Sequence, residues 1–336
     1  MTRSLPPPGA RRAARIAVDL LGGDDAPAVV VDGALQALRA DPDLSLLLVG
    51  PDPAAGGIHA ALPADVRDRA VAHAAAAAVG MDDDPVRGAR PGTHVRAAID
   101  LLARGEADAF VSAGSSGATV AAAVVGLGRL PGVRHPALAA VIPATAGPVL
   151  LLDVGANPDA GVEDLVRYAI LGAAYAHVMG RIDAPRVGLL SVGTEPGKGD
   201  RLRRRVTERL AAVELPGRAI HVGNVEGHDV TRGGAADVVI TDGFTGNVLL
   251  KGMEGAISLA GGDFPPDELV PRAAVLLGVA GTVVICHGAA DAPELCSGVA
   301  YAARLVRADA CARVAAVTGP LQSPAGPAGA AQEVLQ

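Results

Sequence analysis

Seven apolar runs of the chain each end in a short loop of Gly, Asp, Asn, Ser, Lys or His. The loops span residues 19–24, 112–117, 153–157, 191–199, 223–227, 242–247 and 287–288. Parallel α/β sheets bind ligands just beyond the carboxyl ends of their strands, where glycine N–H groups and helix N-termini can hold an anion. The sequence therefore predicts that the seven loops converge on one edge of a sheet and form a large polar site.

One of these loops holds a lysine between glycines. It fails the P-loop pattern, because Gly193 lies one residue too close to Gly197-Lys198 and Gly199 replaces the required Ser or Thr. A lysine in this setting suits a phosphate or a carboxylate as a point charge. A surface turn explains the same residues equally well, so the sequence leaves both interpretations open.

Asparagine recurs in the loops, at Asn157, Asn224 and Asn247. Its side chain tolerates a left-handed backbone, but its amide can also donate to an oxyanion, and the repetition favours the second interpretation. His287 follows an apolar strand and precedes glycine. A lone histidine is usually structural, yet at a strand end its imidazole could donate to a developing anion or protonate a leaving group.

The remaining candidate groups are hydroxyls and carboxylates at strand ends. The segment 114–117, Gly-Ser-Ser-Gly, is one residue short of a nucleophile elbow. It predicts Ser116 as a helix N-cap, and the free N–H groups there could equally hold an oxyanion. Asp19, Asp153 and Asp242 could each cap a helix, orient a cation or bind a metal. Their spacing specifies no metal site, so we expect neither a metal nor a cofactor.

The composition is typical of a large, reduced α/β protein. Of 336 residues, 50% are apolar and only 2% aromatic, so Ala, Val and Leu must fill the core. A net charge of −7 and the scarcity of aromatic residues argue against a nucleic-acid partner. Three cysteines without a CxxC pair indicate a cytoplasmic protein. No apolar run reaches about 18 residues, which argues against a transmembrane helix.

Strands alternate with helices along almost the whole chain. Gly147-Pro148 predicts a turn between two antiparallel strands, 137–142 and 149–152. The alternation predicts an α/β fold with three α/β/α layers and a mostly parallel sheet. We expect one domain over residues 15–317, with a disordered tail at 1–14 and a loose tail at 318–336.

Taken in order, these loops resemble those of the PlsX family of phosphate acyltransferases. The matching segments are residues 16–19, 22–24, 26–27, 112–114, 117–118, 128–132, 151–157, 197–199, 223–227, 242–248, 277–279 and 287–288. The resemblance implies a fold like that of isocitrate and isopropylmalate dehydrogenases. It also implies a homodimeric enzyme at the inner membrane face, which makes acyl phosphate from acyl-acyl carrier protein and inorganic phosphate for phospholipid synthesis.

Loop position and the resemblance together suggest roles in a direct attack of phosphate on the thioester. Lys198 would anchor phosphate, Asn224 or Asn247 would form the oxyanion hole, and His287 would assist departure of the thiolate. Asp19 and Asp242 would orient cationic partners. Substrate or phosphate contacts are expected at Asp19, Gly22, Gly23, Ser115, Ser116, Gly117, Asp153, Asn157, Glu226, Asp242 and Thr245.

The chain departs from the family pattern in several places. Asp25 stands where the family usually has His, Ser115-Ser116 replaces an Asn-Thr pair, and Cys286 stands where a basic residue is common. Residues 253–277 are a much shorter stretch than the family's helical hairpin, which serves dimer contacts and membrane attachment. This difference argues against membrane association and predicts an altered dimer.

Three alternatives stay open on the sequence alone. The first is an acyltransferase that uses acyl-CoA, and the second is a dehydrogenase of the same fold. The third is a homologue that binds the carrier protein with weak catalysis.

Overall fold

The structure is a computed structural model, which describes residues 12–52, 54–261 and 270–319. Its strands are β1 (Ala14–Asp19), β2 (Leu44–Pro51), β3 (Ala70–Ala75), β4 (Ala109–Ser112), β5 (Ala137–Ile142), β6 (Val149–Leu152), β7 (Arg186–Leu190), β8 (Ile220–Val225), β9 (Val238–Ile240), β10 (Ala273–Leu277) and β11 (Val283–Cys286). They form one 11-stranded sheet in the order β3-β2-β1-β4-β11-β10-β5-β6-β9-β7-β8.

Helices cover both faces of this sheet. They are α1 (Ala28–Ala40), α2 (Ala54–Ala61), α3 (Ala64–Arg67), α4 (His94–Ala103), α5 (Ser116–Gly126), α6 (Val162–Val178), α7 (Arg201–Leu210), α8 (Gly227–Arg232), α9 (Gly243–Leu259), α10 (Ala292–Arg307) and α11 (Ala310–Thr318), with a 3-10 turn at Pro85–Ala89. Successive residues of β1 enter different cores: Ile16 and Val18 belong to the hydrophobic cluster that includes residues of α1, α6 and α10, whereas Ala17 belongs to the one that includes residues of α4 and α5. The predicted α/β/α layering is confirmed.

Small residues let the helices pack closely on the sheet. The core is therefore well filled although it has almost no aromatic residues. A Cβ added to Gly172 of α6 would lie 2.7 Å from Val238 Cγ1. On the same side of the sheet, a Cβ on Gly33 of α1 would lie 2.5 Å from Leu295 Cβ of α10. Contacts this short exclude any larger residue at either position.

The sheet contains two parallel groups that run in opposite directions. One group is β3, β2, β1, β4 and β11, and the other is β6, β9, β7 and β8. Between them, the pairs β11–β10, β10–β5 and β5–β6 are all antiparallel. Three reversals place the carboxyl ends of the two groups at opposite edges of the sheet. The prediction that all seven loops share one edge was therefore wrong.

Most predicted elements are present, with shifted ends. The antiparallel pairing of β5 and β6 around Gly147-Pro148 is confirmed. The N-cap of α5 is Ser115, not Ser116, because the helix begins at Ser116 and the Ser115 hydroxyl accepts the Ala118 N–H at 3.4 Å.

The predicted tails fall largely outside the described residues, as do 262–269 of the shortened stretch. Ala14, assigned to the N-terminal tail by sequence, is the first residue of β1. The division into one domain and two tails stays a prediction. Within the described ranges, no helix combines the length and apolarity that a bilayer crossing requires.

Candidate functional site

Asp19 is the centre of a buried hydrogen-bond cluster at the ends of β1 and β4. Its carboxylate accepts the Ser112 hydroxyl at 2.7 Å and the Leu21 N–H at 3.0 Å, and it lies 3.0 Å from His94 Nε2. Burial disfavours the imidazolium of His94, but the Asp19 carboxylate outweighs burial, so the pKa of His94 lies above its ordinary value. We call Asp19, Gly22, His94, Ser112 and Gly114 the Asp19 cluster.

The loops after β1, β4 and β11 pack against one another over this cluster. A Cβ on Gly22 would lie 2.6 Å from the Gly114 nitrogen, and a Cβ on Gly23 would lie 3.1 Å from the Gly288 oxygen. The Asp24 N–H donates to that same oxygen at 2.8 Å. Glycine is required here because backbone meets backbone, so the three loops form one surface.

The serine loop lies on this surface at the N-terminus of α5. Ser115, Ser116 and Gly117 are all partly exposed there. A Cβ on Gly117 would lie 2.9 Å from Pro85 Cγ, so the 3-10 turn also packs closely against this helix. The first turn of α5 thus presents backbone N–H groups beside the Asp19 cluster.

His287 lies next to this surface and is half-exposed. Its Nδ1 accepts the Ala289 N–H at 3.1 Å, which leaves the proton of the neutral ring on Nε2. That Nε2 lies 3.8 Å from the Glu254 carboxylate of α9, which also pairs with Lys251 at 3.0 Å. The imidazole N–H is therefore accessible and faces a helix that comes from the other half of the sheet.

The second group of loops is centred on Asp242, the N-cap of α9. Its carboxylate accepts the Thr245 N–H at 2.8 Å and the Thr245 hydroxyl at 2.9 Å, and it pairs with Arg203 Nη2. Arg203 also contacts the Thr241 hydroxyl at 3.3 Å and Asp200 at 2.8 Å. Burial opposes ionisation of Asp242, but Thr245 and Arg203 outweigh it and hold its pKa below the ordinary value.

The glycine loop of Lys198 folds over the start of α7, beside Arg203. A Cβ on Gly193 would lie 3.1 Å from Lys198 Cγ, so the lysine stem crosses that glycine. A Cβ on Gly199 would lie 2.8 Å from both Ser191 Oγ and Arg203 Cβ. Lys198 itself is exposed and forms no ion pair with a described residue. We call Ser191, Lys198, Arg203, Asp242 and Thr245 the Asp242 cluster.

Asn224 lies beside this cluster, on the edge strand β8. Its Oδ1 and Ser191 Oγ are buried atoms without a hydrogen-bond partner among the described residues. The Ser191 N–H donates to the Val225 oxygen at 2.8 Å, which joins the ends of β7 and β8. Glu226 follows as the N-cap of α8, where its N–H donates to Asp229 at 2.9 Å.

Asp153 shapes the neighbouring loop from within. Its carboxylate accepts four backbone N–H groups, those of Leu138, Gly155, Ala156 and Asn157, at 2.6–3.1 Å. Burial raises the pKa of Asp153 above its ordinary value, although the four N–H groups oppose that shift. The carboxylate is fully buried, so it organises the backbone that carries Asn157.

Two of the predicted asparagines join this loop to α9. Asn247 Nδ2 donates to the Val154 oxygen at 3.1 Å, and the Gly243 N–H donates to the Asn157 oxygen at 3.0 Å. Asn157 Nδ2 in turn donates to the Tyr168 hydroxyl at 3.1 Å. The side chain of Asn157 therefore points to α6, whereas Asn247 remains exposed.

Helix α9 connects the two groups of loops. It has 17 residues, and its first turn lies in the Asp242 cluster while Glu254 reaches His287. Asn247, Lys251 and Glu254 share one face of the helix by their spacing. Seven residues of helix rise about 10 Å, so Glu254 lies about two turns along α9 from Asn247. Lys198, Asn224 and Asn247 thus belong to one group of loops and His287 to the other.

The sequence alone does not identify Arg203, His94 and Ser112 as site residues. Arg203 lies in a basic run just after the glycine loop, and Ser112 is the first residue of the serine loop, so both had a positional signal. His94 had none, because it follows the N-cap of a helix 75 residues away from Asp19 in sequence.

Outside the two clusters the described residues show few further features. They contain no group of three or more His, Cys, Asp or Glu side chains that could hold a metal. A cavity of about 360 Å³ lies between the start of β11, α10 and α11. None of the predicted site residues lines it.

Comparisons with known proteins agree with this architecture. A family profile described as "Fatty acid synthesis protein" matches residues 14–262. The phosphate acyltransferase of Thermobifida fusca (strain YX) is 43% identical in an alignment of 316 positions that covers 86% of each chain. A branched-chain phosphotransacylase from Enterococcus faecalis V583 superimposes with a TM-score of 0.60 over 87% of this chain and 99% of its own, at 17% identity.

A dehydrogenase also has this fold. The 4-hydroxythreonine-4-phosphate dehydrogenase of Klebsiella pneumoniae superimposes with a TM-score of 0.50 at 13% identity, over 88% of this chain and 98% of its own. Similarity at this level shows the fold alone.

Proposed function

Because the chain belongs to the phosphate acyltransferase family, and is thus an acyltransferase, we propose that it transfers an acyl group from acyl carrier protein to inorganic phosphate. A phosphate oxygen bonds to the thioester carbonyl carbon, and the C–S bond breaks. The products are acyl phosphate, which would feed phospholipid synthesis, and the thiol of the carrier. The proposal is carried by Lys198 and Arg203 in the Asp242 cluster, since two cations at one glycine loop suit a dianion.

Phosphate would bind in the Asp242 cluster. Lys198 is exposed and without an ionic partner among the described residues, whereas Arg203 is held in place by Asp242 and Asp200. Ser191 Oγ and Asn224 Oδ1 are buried beside this cluster and lack described partners, so both keep hydrogen-bonding capacity there. Phosphate is largely dianionic near pH 7, with a second pKa of about 6–7, so its attack needs no strong base.

The tetrahedral oxyanion would be stabilised by an asparagine amide. Asn247 uses one of its two amide hydrogens on the Val154 oxygen, which leaves the other free to donate. Each donor of this kind contributes about 3 kcal/mol to transition-state stabilisation. Asn224, on the edge strand β8 beside the Asp242 cluster, is the second candidate.

The thiolate would leave toward His287. The proton on its Nε2 is accessible, and the Ala289 N–H fixes the tautomer. That N–H would donate a hydrogen bond to the departing sulfur, since full transfer of its proton would leave an imidazolate. The P–OH proton that phosphate loses on becoming an acyl phosphate dianion would reach the thiolate through solvent and balance the reaction.

The thioester donor would then lie on the three-loop surface above the Asp19 cluster. Asp24 and Asp25 are exposed on this surface, and acidic side chains repel a phosphate dianion. The acyl donor carries no such charge at its reacting carbonyl. Phosphate and donor would therefore approach each other from the two ends of the polar face of α9.

We also propose that a second copy of the chain packs on α9. Phe244, Val248 and Leu259 are exposed apolar residues, and their spacing places them on one face of the helix. Burial of that face in a homodimer would remove them from water. Sedimentation would report a dimer that Val248→Asp dissociates, and a monomeric wild-type protein would reject this arrangement.

The three cysteines are unpaired, which supports a reducing compartment such as the cytoplasm. Residues 253–277 are a shorter stretch than the family's membrane-attaching hairpin, which supports an enzyme that meets its carrier protein in solution.

The reaction can be tested by incubation of the protein with acyl-acyl carrier protein and phosphate, followed by trapping with hydroxylamine. We expect a hydroxamate that depends on both substrates. Acyl-CoA in place of the carrier thioester tests the alternative donor. Binding of the carrier without any hydroxamate from either donor would reject acyl transfer and favour a carrier-binding homologue.

A further inference from the structure

We propose that His94 is a positioning residue, which acts through Asp19 to hold the donor-side loops in their reactive arrangement. The inference rests on the proposed function, since it assigns these loops to the thioester donor. His94 has no contact with the exposed surface: its side chain is 1% exposed. Its effect on the reaction must therefore be transmitted by the hydrogen bonds of the Asp19 cluster.

The hydrogen bonds of His94 determine which ring nitrogen carries the proton that faces Asp19. The Val79 N–H points at His94 Nδ1 at 3.3 Å, so in the neutral ring Nδ1 accepts and Nε2 carries the hydrogen. Nε2 lies 3.0 Å from Asp19 Oδ1, and the Asp19 side chain is fully buried. His94 thus supplies one of the donors that make a buried carboxylate tolerable there.

The carboxylate divides its remaining acceptor capacity between two loops. Oδ1 also accepts the Leu21 N–H, which begins the loop after β1. Oδ2 accepts the Ser112 hydroxyl, and Ser112 Oγ in turn accepts the Gly114 N–H at 2.9 Å. One imidazole therefore fixes, through a single carboxylate, the loops that follow β1 and β4.

These loops cannot shift independently of the surface they form. Gly22 approaches the Gly114 nitrogen so closely that no Cβ fits, and the Asp24 N–H is bonded to the Gly288 oxygen beside His287. A displacement of Asp19 would therefore move the first turn of α5 and the loop of His287 together. Misplacement of about 1 Å can reduce a reaction rate about 100-fold.

The Asp242 cluster has no hydrogen bond to this chain of contacts among the described residues. Loss of His94 should therefore weaken binding of the acyl donor and leave binding of phosphate unchanged. This asymmetry distinguishes a positioning role from a general loss of stability, which would reduce the concentration of active enzyme and leave both KM values unchanged.

The test compares three variants in steady-state kinetics with the full chain. His94→Leu removes the donor to Asp19, and we expect the KM for acyl carrier thioester to rise about tenfold while the KM for phosphate changes less than twofold. His94→Gln places an amide N–H where Nε2 lies, and it should restore the donor KM. His177→Leu is the control, since that histidine bonds the Ile182 oxygen at 2.9 Å from α6, away from both clusters.

Ser112→Ala provides a second approach should His94→Leu fail to fold, because it removes the other side-chain donor to Asp19. It should raise the donor KM in the same selective way. Equal changes in both KM values, or a His94→Gln variant no better than His94→Leu, would overturn the positioning role. Calorimetric titration with the carrier thioester and with phosphate keeps the two proposals apart: a wild-type protein that binds neither substrate overturns both, whereas wild-type turnover with unaffected His94 variants overturns this one alone.

Discussion

The Asp19 and Asp242 clusters both stabilise a buried aspartate, but they do so with different partners. Each places a buried aspartate at the end of a central strand and bonds it to the loop that follows. Asp19 takes its cross-chain bonds from a histidine and a serine, whereas Asp242 pairs with the permanently charged Arg203. The difference in local charge favours an uncharged carbonyl at the first cluster and an anion at the second.

Removal of Arg203 is the strongest test of the difference between the two clusters. Arg203→Met leaves Asp242 buried without its cation, and we expect a loss of about 3–5 kcal/mol in the free energy of unfolding. The KM for phosphate should rise as well, while the KM for the acyl donor should not. Denaturant unfolding and steady-state kinetics measure the two effects.

Arg205→Met is the matched control for that experiment, because Arg205 is an exposed arginine on the same helix. It should be neutral in both measurements. A phosphate KM that is equally affected in the two variants would mean that the charge of α7 acts at long range, without a specific contact from Arg203.

Two glycines of α9 test whether the helix must dock on the Asp153 loop. A Cβ on Gly246 would lie 1.9 Å from the Asp153 oxygen, whereas a Cβ on Gly252 would meet nothing within 4 Å. Gly246→Ala should therefore cost about 3 kcal/mol of stability. Gly252→Ala should raise stability by about 0.5–1 kcal/mol, since alanine is the better helix former. Equal melting temperatures for the two variants would contradict the docking.

Whether a feature could be predicted from the sequence depends on how far apart in the chain its interacting residues lie. The β5–β6 pairing and the Asp242 loop depend on residues close in sequence, and both could be read from turn and capping residues. The reversal of the sheet depends on β10, which pairs with β5 from more than 130 residues away. No local pattern specifies that pairing, so the convergence of all loops on one edge could not be tested from the sequence.

The site shows the same division between local and distant contacts. Lys198, Asn247 and His287 stood out because each follows an apolar run in a glycine-containing segment of the sequence. Arg203 and His94 reach their aspartates from helices that come from elsewhere in the fold. A side chain on a helix gives no sequence signal of the loop that it will meet.

Lys198→Met removes from the Asp242 cluster a charge that forms no ion pair with a described residue. A hydrogen bond to a charged group contributes about 1.5–3 kcal/mol, so the KM for phosphate should rise about ten- to a hundredfold. The melting temperature should change little, because Lys198 is exposed. Acyl phosphate formation at the wild-type rate and phosphate concentration would remove Lys198 from the site.

The smallest expected effect is a difference in acid response between two aspartates. The pKa of Asp242 is lowered, so its stabilising contribution is present above the ordinary value of 3.8 and is lost as the pH falls through the lowered pKa. The pKa of Asp153 is raised, so protonation as the pH falls toward 3.8 favours the folded state instead.

Unfolding free energies of Asp242→Asn and Asp153→Asn, measured against the wild type from pH 6 to pH 3, would show these opposite trends. The advantage of the wild type over Asp242→Asn should shrink below about pH 4. Its advantage over Asp153→Asn should grow as the pH falls toward 3.8 and stay level below that value. Parallel curves for the two variants would contradict the opposite pKa shifts of the two aspartates.

The assignment of phosphate to the Asp242 cluster is tested most directly by equilibrium binding of inorganic phosphate, followed by ³¹P NMR, to the wild type, Lys198→Met and His94→Leu. We expect Lys198→Met to bind at least tenfold more weakly and His94→Leu to bind as the wild type does. Weakened binding in His94→Leu with unchanged binding in Lys198→Met would contradict the account.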